Sequence, residues 1–196
     1  MPPRTSAKMN PDPVLIYWLD ELGPKGWYDG SPKIDADILS RFETLWGEAM
    51  AGGLLHWLTN PDEALAYIIL TDQMPRNMFR GTWRAYSSDR LARAATNIAL
   101  DRGWDLRVKE PERQFFYKPL EHSECLADQE RAVRLMALRL SDPVHLLHAQ
   151  AHREVIRRFG RFPFRNPHLK RPATEAEGEF IAQGGYGAVV KSLKAA

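Results

Sequence analysis

The sequence is poor in cysteine, since Cys125 is the only thiol in 196 residues. A single cysteine cannot close an internal disulfide, so the chain does not have the framework of a small secreted domain. Long apolar runs are also missing: stretches such as Val14–Leu19 and Ala64–Leu70 are far short of the roughly 20 residues of a membrane helix. Residues 1–11 contain three prolines and lack the apolar core of a signal peptide. We therefore expect a cytoplasmic protein with no membrane partner.

Motifs that indicate a cofactor or a nucleic acid are absent as well. The chain has no phosphate-binding glycine loop, no dinucleotide fingerprint and no motif that reads nucleic acid. Its net charge is only +2. We expect no cofactor and no nucleic-acid partner. No nucleophile stands out, because a cysteine near a predicted helix start, as Cys125 is, more often fills a core. The sequence leaves open whether the protein is an enzyme.

The charges are unevenly distributed along the chain. Residues 1–70 carry 5 basic and 10 acidic side chains, whereas residues 71–196 carry 22 basic and 15 acidic ones. Of the 27 basic residues, 19 are arginine, whose planar fork suits bidentate contacts with carboxylates or phosphates. An arginine-rich codon usage would produce the same excess. The segment 153–171 has seven basic residues and one acid, which indicates a basic strip.

Helical periodicity and helix start signals cover most of the chain. Asn60-Pro61 places a capping side chain before a proline, and Thr174 with Glu177 matches a capping box. Strand alternation and a strict repeat are lacking. The pattern predicts an all-α fold of about eight helices. We expect a flexible N-terminal tail at 1–11, one helical domain at 12–184 and a C-terminal tail at 185–196.

The predicted third helix continues a buried apolar stripe into a carboxylate. Leu65 and Ile68 lie on its inner face, and Asp72 follows them at helical spacing. A carboxylate on a core face must be paired, because stranding a buried charge is costly. Arg76 and Arg80, at i+4 and i+8, are the nearest partners. The stretch predicts an internal ion pair, which either belongs to a site or ties a helix end to its neighbour.

Polar residues also fall on the inner faces of later helices. Gln129 and Glu130 lie on the predicted apolar stripe of one helix. His145, His148 and His152 share a face of the next helix at i, i+3 and i+7, but no cysteine or carboxylate pair stands beside them at metal-ligand spacing. We therefore expect an internal polar network and no metal site.

Three blocks together contain arginine, proline, aromatic and acidic residues. They are Asp72-Gln73-Met74-Pro75-Arg76-Asn77, residues 116–124 with 128–130, and His152 followed by residues 160–166. In order and spacing they resemble one bacterial family, the domain of unknown function number 924, over roughly residues 12–183. The resemblance implies a right-handed α-α superhelix similar to tetratricopeptide-repeat proteins and implies no reaction. Met74 and Phe164 stand where the family often has Phe and His.

We hypothesise that the three blocks meet in one polar pocket on the concave side. Arginine and asparagine beside a carboxylate-held histidine suit a small anionic ligand, either a phosphate or a carboxylate. His122 and His152, with Glu124, are the candidates for proton transfer. The predicted ligand contacts are Asp72, Gln73, Arg76, Asn77, Arg80, Tyr117, Gln129, Glu130, Arg161, Arg165 and Asn166.

Two alternatives remain open on the sequence alone. A helical superhelix often presents a concave groove to a peptide, in which case the basic strip 153–171 would bind an acidic peptide. The same side chains could instead form a purely structural network, because the irregular turn at 161–166 needs its backbone groups satisfied. An enclosed polar pocket favours the small anion, and a long groove of exposed aromatic rings favours the peptide.

Overall fold

The structure, a computed structural model, describes residues 10–195. Within that range it consists of nine continuous helices and contains no strand. Two of these helices include a π-helical segment, Ile16–Leu22 in the first helix and Ile69–Gln73 in the third. The α-helical segments are α1 (Asp12–Leu15), α2 (Gly23–Gly26), α3 (Pro32–Met50), α4 (Pro61–Ile68), α5 (Met74–Met78), α6 (Asp89–Asp101), α7 (Lys118–Glu121), α8 (Leu126–Arg139), α9 (Pro143–Phe159), α10 (Glu175–Ala182) and α11 (Gly185–Ala195).

Short 3₁₀ segments connect several of these helices. They are Leu55–Trp57, Trp83–Tyr86, Asp105–Arg107, Glu112–Phe116 and Pro163–Arg165. The helices pack mainly against neighbours that follow closely in the chain, with α8 against α9, α3 against α5 and α4 against α6. The all-α prediction is confirmed, and the superhelical winding stays a prediction. No helix within residues 10–195 is both long enough and apolar enough to cross a bilayer.

Helix starts follow the capping chemistry of the sequence. The Asn60 side chain accepts a hydrogen bond from the backbone N–H of Glu63, 3.0 Å away, and Pro61 occupies the first helical position. Thr174 and Glu177 form both hydrogen bonds of a capping box at the start of α10. Such contacts satisfy backbone donors that have no partner inside the helix. Local sequence therefore sets these boundaries.

The C-terminal segment is a helix, which corrects the expectation of a tail at 185–196. Gly184 and Gly185 both have positive φ, a conformation that glycine adopts readily, and the turn they form begins α11 as well as ending α10. Val189 on α11 is only 7% exposed and belongs to an apolar cluster with α9 and α10. At the other end, residues 1–9 of the predicted N-terminal tail lie outside the described residues, and Asn10 is exposed.

The buried apolar residues form two clusters, and their boundary positions the site. The larger cluster contains Trp18, Trp57 and Phe116 and reaches Ala149 on α9. The smaller one begins at Ala151 on the same helix and extends to α10 and α11. Beside these two alanines α9 carries His148 and His152, both half-buried, so polar side chains lie on the helix where the two clusters meet.

Candidate functional site

The continuous helix that contains α4 and α5 places the carboxylate of Asp72 in the protein interior. Regular α-helical hydrogen bonding is interrupted there by the π-helical segment and by Pro75. Pro75 has no N–H, so it cannot donate an α-helical hydrogen bond to the carbonyl of Thr71. That carbonyl accepts a hydrogen bond from Ser88 Oγ at 2.6 Å. Asp72, within the π segment, has no exposed surface. Short π-helical segments often mark functional positions in helices.

Asp72 is surrounded by three donors. Arg76 Nη1 lies 3.3 Å from Oδ1, Gln73 Nε2 donates to Oδ2 at 2.6 Å, and His122 Nδ1 lies 2.9 Å from Oδ2. Burial alone would raise the pKa of Asp72, but the Arg76 guanidinium and the contact with His122 lower it to about 2. Asp72 is therefore an ionised, fully paired internal carboxylate, as its position on the apolar stripe predicts.

A second carboxylate–histidine pair lies on the other side of the site. The carboxylate of Glu121, which is 1% exposed, accepts a hydrogen bond from Lys118 Nζ at 3.0 Å and lies 2.9 Å from His152 Nδ1. Burial would raise the pKa of Glu121, but the charge of Lys118 and the contact with His152 hold it well below its ordinary value. Sequence reasoning missed Glu121 and Lys118. The only local signal was their i, i+3 spacing in the second block.

Both histidines turn Nδ1 toward hydrogen-bond acceptors. Nδ1 of His122 faces the ionised carboxylate of Asp72, and Nδ1 of His152 faces Glu121 and the carbonyl of His148, 2.9 Å away. These partners only accept hydrogen bonds, so each Nδ1 carries a proton and each Nε2 is left for the cavity. Burial and the positive charge of Arg76 lower the pKa of His122 to about 4, so at neutral pH the ring is uncharged and its Nε2 accepts hydrogen bonds.

The two imidazole rings line the same two cavities. Their centroids are 6.2 Å apart, with the planes at 71°. A first cavity of about 340 Å³, here called the arginine cavity, is lined by His122 and His152 together with Arg76, Arg80, Gly81, Ala85, Tyr86, Phe164, Arg165 and His168. A second cavity of about 460 Å³, here called the aromatic cavity, is lined by the same two histidines together with Tyr28, Lys118, Glu121, Val144, His145, His148 and Tyr186.

Arg165 is the least neutralised cation of the arginine cavity. It is 5% exposed, and its guanidinium carbon lies 4.6 Å from the ring centroid of Tyr86 and 4.5 Å from that of Phe162. Its Nη2 donates to the His122 carbonyl at 3.0 Å, and its Nη1 is 3.5 Å from Asp89. Its Nε has no hydrogen-bond partner among the described residues. Burial and the charge of Arg76 lower the pKa of Arg165 to about 10.

Arg76 is better paired than Arg165. Besides Asp72 it binds Asp89, with Nη2 3.0 Å from Oδ1. Asp89 stands at the start of α6 and is shared by the two arginines. Burial raises the pKa of Asp89 above its ordinary value, against the lowering effect of Arg76. The arginine cavity thus contains two guanidinium groups that compete for one carboxylate.

Of the residues predicted to bind a ligand, those of the first block lie at the site. Gln73, Arg76, Asn77 and Arg80 line a recess of about 210 Å³ beside His122. Arg80 does not pair with Asp72, since its Nε donates to Asp35 on α3 at 2.6 Å. Asn77 binds the same carboxylate at 2.8 Å. Asp35 therefore orients two predicted contacts and was not identified from the sequence.

Other predicted contacts are placed away from both cavities. Tyr117 is fully buried, and its hydroxyl donates to Asp105 at 2.7 Å. Gln129 is also fully buried and donates to the carbonyls of Glu121 and Ser123 at 2.6 and 2.7 Å. It therefore fixes the backbone that carries His122 and does not reach a ligand. Asn166 is 2% exposed, and its side-chain oxygen accepts from Arg171.

Three charged side chains that the sequence predicts at the site also lie outside the arginine and aromatic cavities. The Glu130 side chain is 42% exposed and pairs with Arg153 at 3.2 Å. It is exposed because the buried face of α8 contains Gln129 and Ala132 but not Glu130. Arg161 pairs with Glu177 at 2.6 Å, outside the cavities. Glu124 lies in a neighbouring depression that His122 also lines, but both of its carboxylate oxygens are engaged, by Arg171 and by the N–H of Phe162.

Cys125 is exposed at the N-cap of α8, which overturns the interpretation of a core cysteine. Among the described residues, no three histidine, cysteine, aspartate or glutamate side chains are arranged to hold a metal ion.

Fold and site together define an all-helical protein whose polar interior is organised by two carboxylate–histidine pairs. The chain belongs to the DUF924 family, bacterial proteins of unknown function, whose family model matches residues 14–185. It is similar to the solved structure of ATU0120, a protein of unknown function from Agrobacterium tumefaciens, with 38% identity and a TM-score of 0.83 over 87% of this chain and 96% of that one. No curated protein matches the chain.

Proposed function

We propose that the arginine cavity binds a small anionic ligand, a phosphate or a carboxylate, through Arg165. The observation that carries the proposal is the weakly balanced charge of this side chain, which lines the cavity, is 5% exposed and has Asp89, 3.5 Å away, as its carboxylate partner. A buried charge without a close counter-charge is unfavourable. An anion in the cavity would supply that counter-charge.

The surroundings of Arg165 hold its guanidinium in place without neutralising it. Tyr86 and Phe162 contact it through their ring faces, which attract a cation and leave its N–H groups free. The hydrogen bond that Arg165 Nη2 donates to the His122 carbonyl fixes one edge of the guanidinium group. A pre-positioned arginine of this kind suits bidentate recognition of a carboxylate or phosphate.

The two histidines give the bound ligand proton-transfer partners. Neutral His122 offers its Nε2 as an acceptor, and Asp72 stabilises the imidazolium that forms when that nitrogen takes a proton. His152 is held by Glu121 in the same way. We infer general acid–base chemistry at a bound anion as the role of the pair, with Arg165 and Arg76 as the binding groups.

The acidic-peptide alternative has less support in the geometry. Within the basic strip 153–171, Arg157 pairs with Glu130 at 2.5 Å, Arg161 pairs with Glu177 at 2.6 Å and Arg171 pairs with Glu124 at 2.7 Å. These charges are therefore balanced within the chain. We further infer a cytoplasmic setting, because the exposed thiol of Cys125 has no second cysteine in the sequence to pair with.

Calorimetric titration with inorganic phosphate and with malonate tests the proposal. We expect at least one of them to bind the wild-type protein, and Arg165→Met to weaken that binding by about tenfold or more. Arg153→Met is the matched control, because Arg153 lies on α9 and pairs with Glu130 away from the cavity. It should bind as the wild type does. Absence of binding would show that the network is structural, and equal binding by Arg165→Met would place the anion away from Arg165; either result overturns the proposal.

A further inference from the structure

The aromatic cavity lies directly beside the arginine cavity and shares His122 and His152 with it. The two rings, 6.2 Å apart and steeply inclined, form the partition between the two spaces. The volumes of about 340 and 460 Å³ are each those of a small-molecule site. The aromatic cavity is therefore next to any ligand held at Arg165, on the other side of the two histidines.

The walls of the aromatic cavity differ from those of the arginine cavity. Tyr28, Tyr186 and the histidines at 145 and 148 present rings, and Val144 presents a methyl surface. Burial lowers the pKa of both His145 and His148, so these rings are uncharged at neutral pH. Faces of this kind bind apolar groups.

The charges of the aromatic cavity cancel one another. Lys118 Nζ and Glu121 Oε2 are 3.0 Å apart, and both side chains are almost fully buried. The charge of Glu121 raises the pKa of Lys118, although burial opposes it. The pair stays ionised and internally satisfied, so this cavity has no unpaired cation to attract a second anion. It also offers no unpaired anion to attract a cation.

We propose that the aromatic cavity binds the uncharged body of the same ligand whose anionic head contacts Arg165. The ligand class is a small organic anion with an aromatic or short aliphatic body, such as an aryl phosphate or an arylalkyl carboxylate. This inference rests on the proposed function of the arginine cavity. It places the linkage between head and body beside His122 and His152, where proton transfer would act on it.

Paired probes test the inference. Inorganic phosphate and acetate carry the head alone, whereas phenyl phosphate and phenylacetate add a ring. We expect the ring to strengthen binding of at least one head by about tenfold, because it is removed from water against aromatic walls. Titration calorimetry of the wild-type protein gives both dissociation constants of each pair.

A variant that fills the aromatic cavity separates the contribution of the anionic head to binding from that of the uncharged body. Val144 lies in the first turn of α9 and is 38% exposed, so a larger side chain there enters the cavity without displacing the core. Val144→Trp should abolish the advantage of the ring and leave binding of the head unchanged. Leu138→Trp adds the same side chain to α8 at a position that is 75% exposed, and it should keep the advantage.

The possible outcomes are distinct. If the heads bind and the ring adds nothing, or if Val144→Trp leaves the advantage of the ring intact, the inference is overturned and the proposed function stands. If no head binds and no ring-bearing probe binds, both are overturned. A selective loss of the ring's contribution in Val144→Trp, together with loss of both probes in Arg165→Met, supports both.

Discussion

His122 Nδ1 lies 2.9 Å from Oδ2 of Asp72, a residue fifty positions earlier in the chain. This contact joins the helix of α4 and α5 to the turn that follows α7. The carboxylate also binds Arg76, so one buried anion stands between a guanidinium and a neutral imidazole. The charge of Asp72 therefore affects both the stability of the fold and the pKa of His122.

Asp72→Asn should destabilise the fold by about 2–4 kcal/mol, because Arg76 would keep only Asp89 as a buried counter-charge. The measurement is the free energy of unfolding in urea. Asp101→Asn is the control: its side chain is 77% exposed and lies 3.8 Å from Arg131, and exposed pairs of this kind contribute less than about 1 kcal/mol. Equal losses in the two variants would contradict the internal role of Asp72.

The stability of the protein should fall as the pH decreases from about 6.5 to 4. His122 has a folded pKa of about 4, below its ordinary 6.5. Between these values the unfolded chain binds a proton that the folded chain does not, so acid favours unfolding by up to about 3 kcal/mol. His122→Gln should show a flatter dependence between pH 6.5 and 4.5. Parallel curves for variant and wild type would exclude His122 as the source.

Ligand binding should raise the pKa of His122. An anion in the arginine cavity adds a negative charge beside the ring and opposes the effect of Arg76. NMR titration of the His122 ring signals, with and without saturating phosphate or malonate, measures the shift. A pKa that stays at its ligand-free value while calorimetry detects binding would place the anion somewhere other than beside His122.

Glu121→Gln should destabilise the protein by about 3–5 kcal/mol, because the charge of Lys118, which is 6% exposed, would lose its counter-charge. The double variant Lys118→Met with Glu121→Gln should recover much of that loss, since it removes both buried charges. Urea unfolding of the two single variants and the double variant gives the coupling free energy. Simple additivity would mean that the two side chains do not depend on each other.

Val189→Asp tests whether α11 is an integral part of the fold. Val189 is 7% exposed in the cluster with α9 and α10, so a carboxylate there should cost about 2–4 kcal/mol. Lys191→Asp introduces the same residue at an exposed position of the same helix and should have little effect. Similar melting temperatures for the two variants would mean that the segment behaves as a tail.

Features whose causes lie close together in the chain were predictable. The Asn60 cap and the Thr174 capping box depend on residues three positions apart. The pairing of Asp72 with Arg76 depends on i, i+4 spacing. In each case one helical turn supplies both partners, so the sequence alone specifies the contact.

Features that depend on distant partners were not predictable. Glu121 lies in α7, which has only four residues and shows no periodicity, and its histidine partner follows on α9. The apolar stripe of α8 predicts Glu130 as inward, but Leu126 on the same helix is 43% exposed and the buried face is centred nearer Gln129, which is fully buried. Helix α11 was missed because Gly184-Gly185 predicts a helix end and gives no sign of a restart.

The π-helical segment Ile69–Gln73 decides how the chain around the site responds to a change of length. The segment holds one residue more than an α-helical turn, and its wide turn closes from the Met74 N–H to the Ile69 carbonyl. Deleting one residue there would restore a regular α-helical turn and leave Arg76 close to its present orientation relative to α4, whereas a deletion from a regular α-helix turns all that follows by about 100°. The chain can therefore lose a residue in this segment and still direct Arg76 toward Asp89, but the direction of Asp72 within the segment would change.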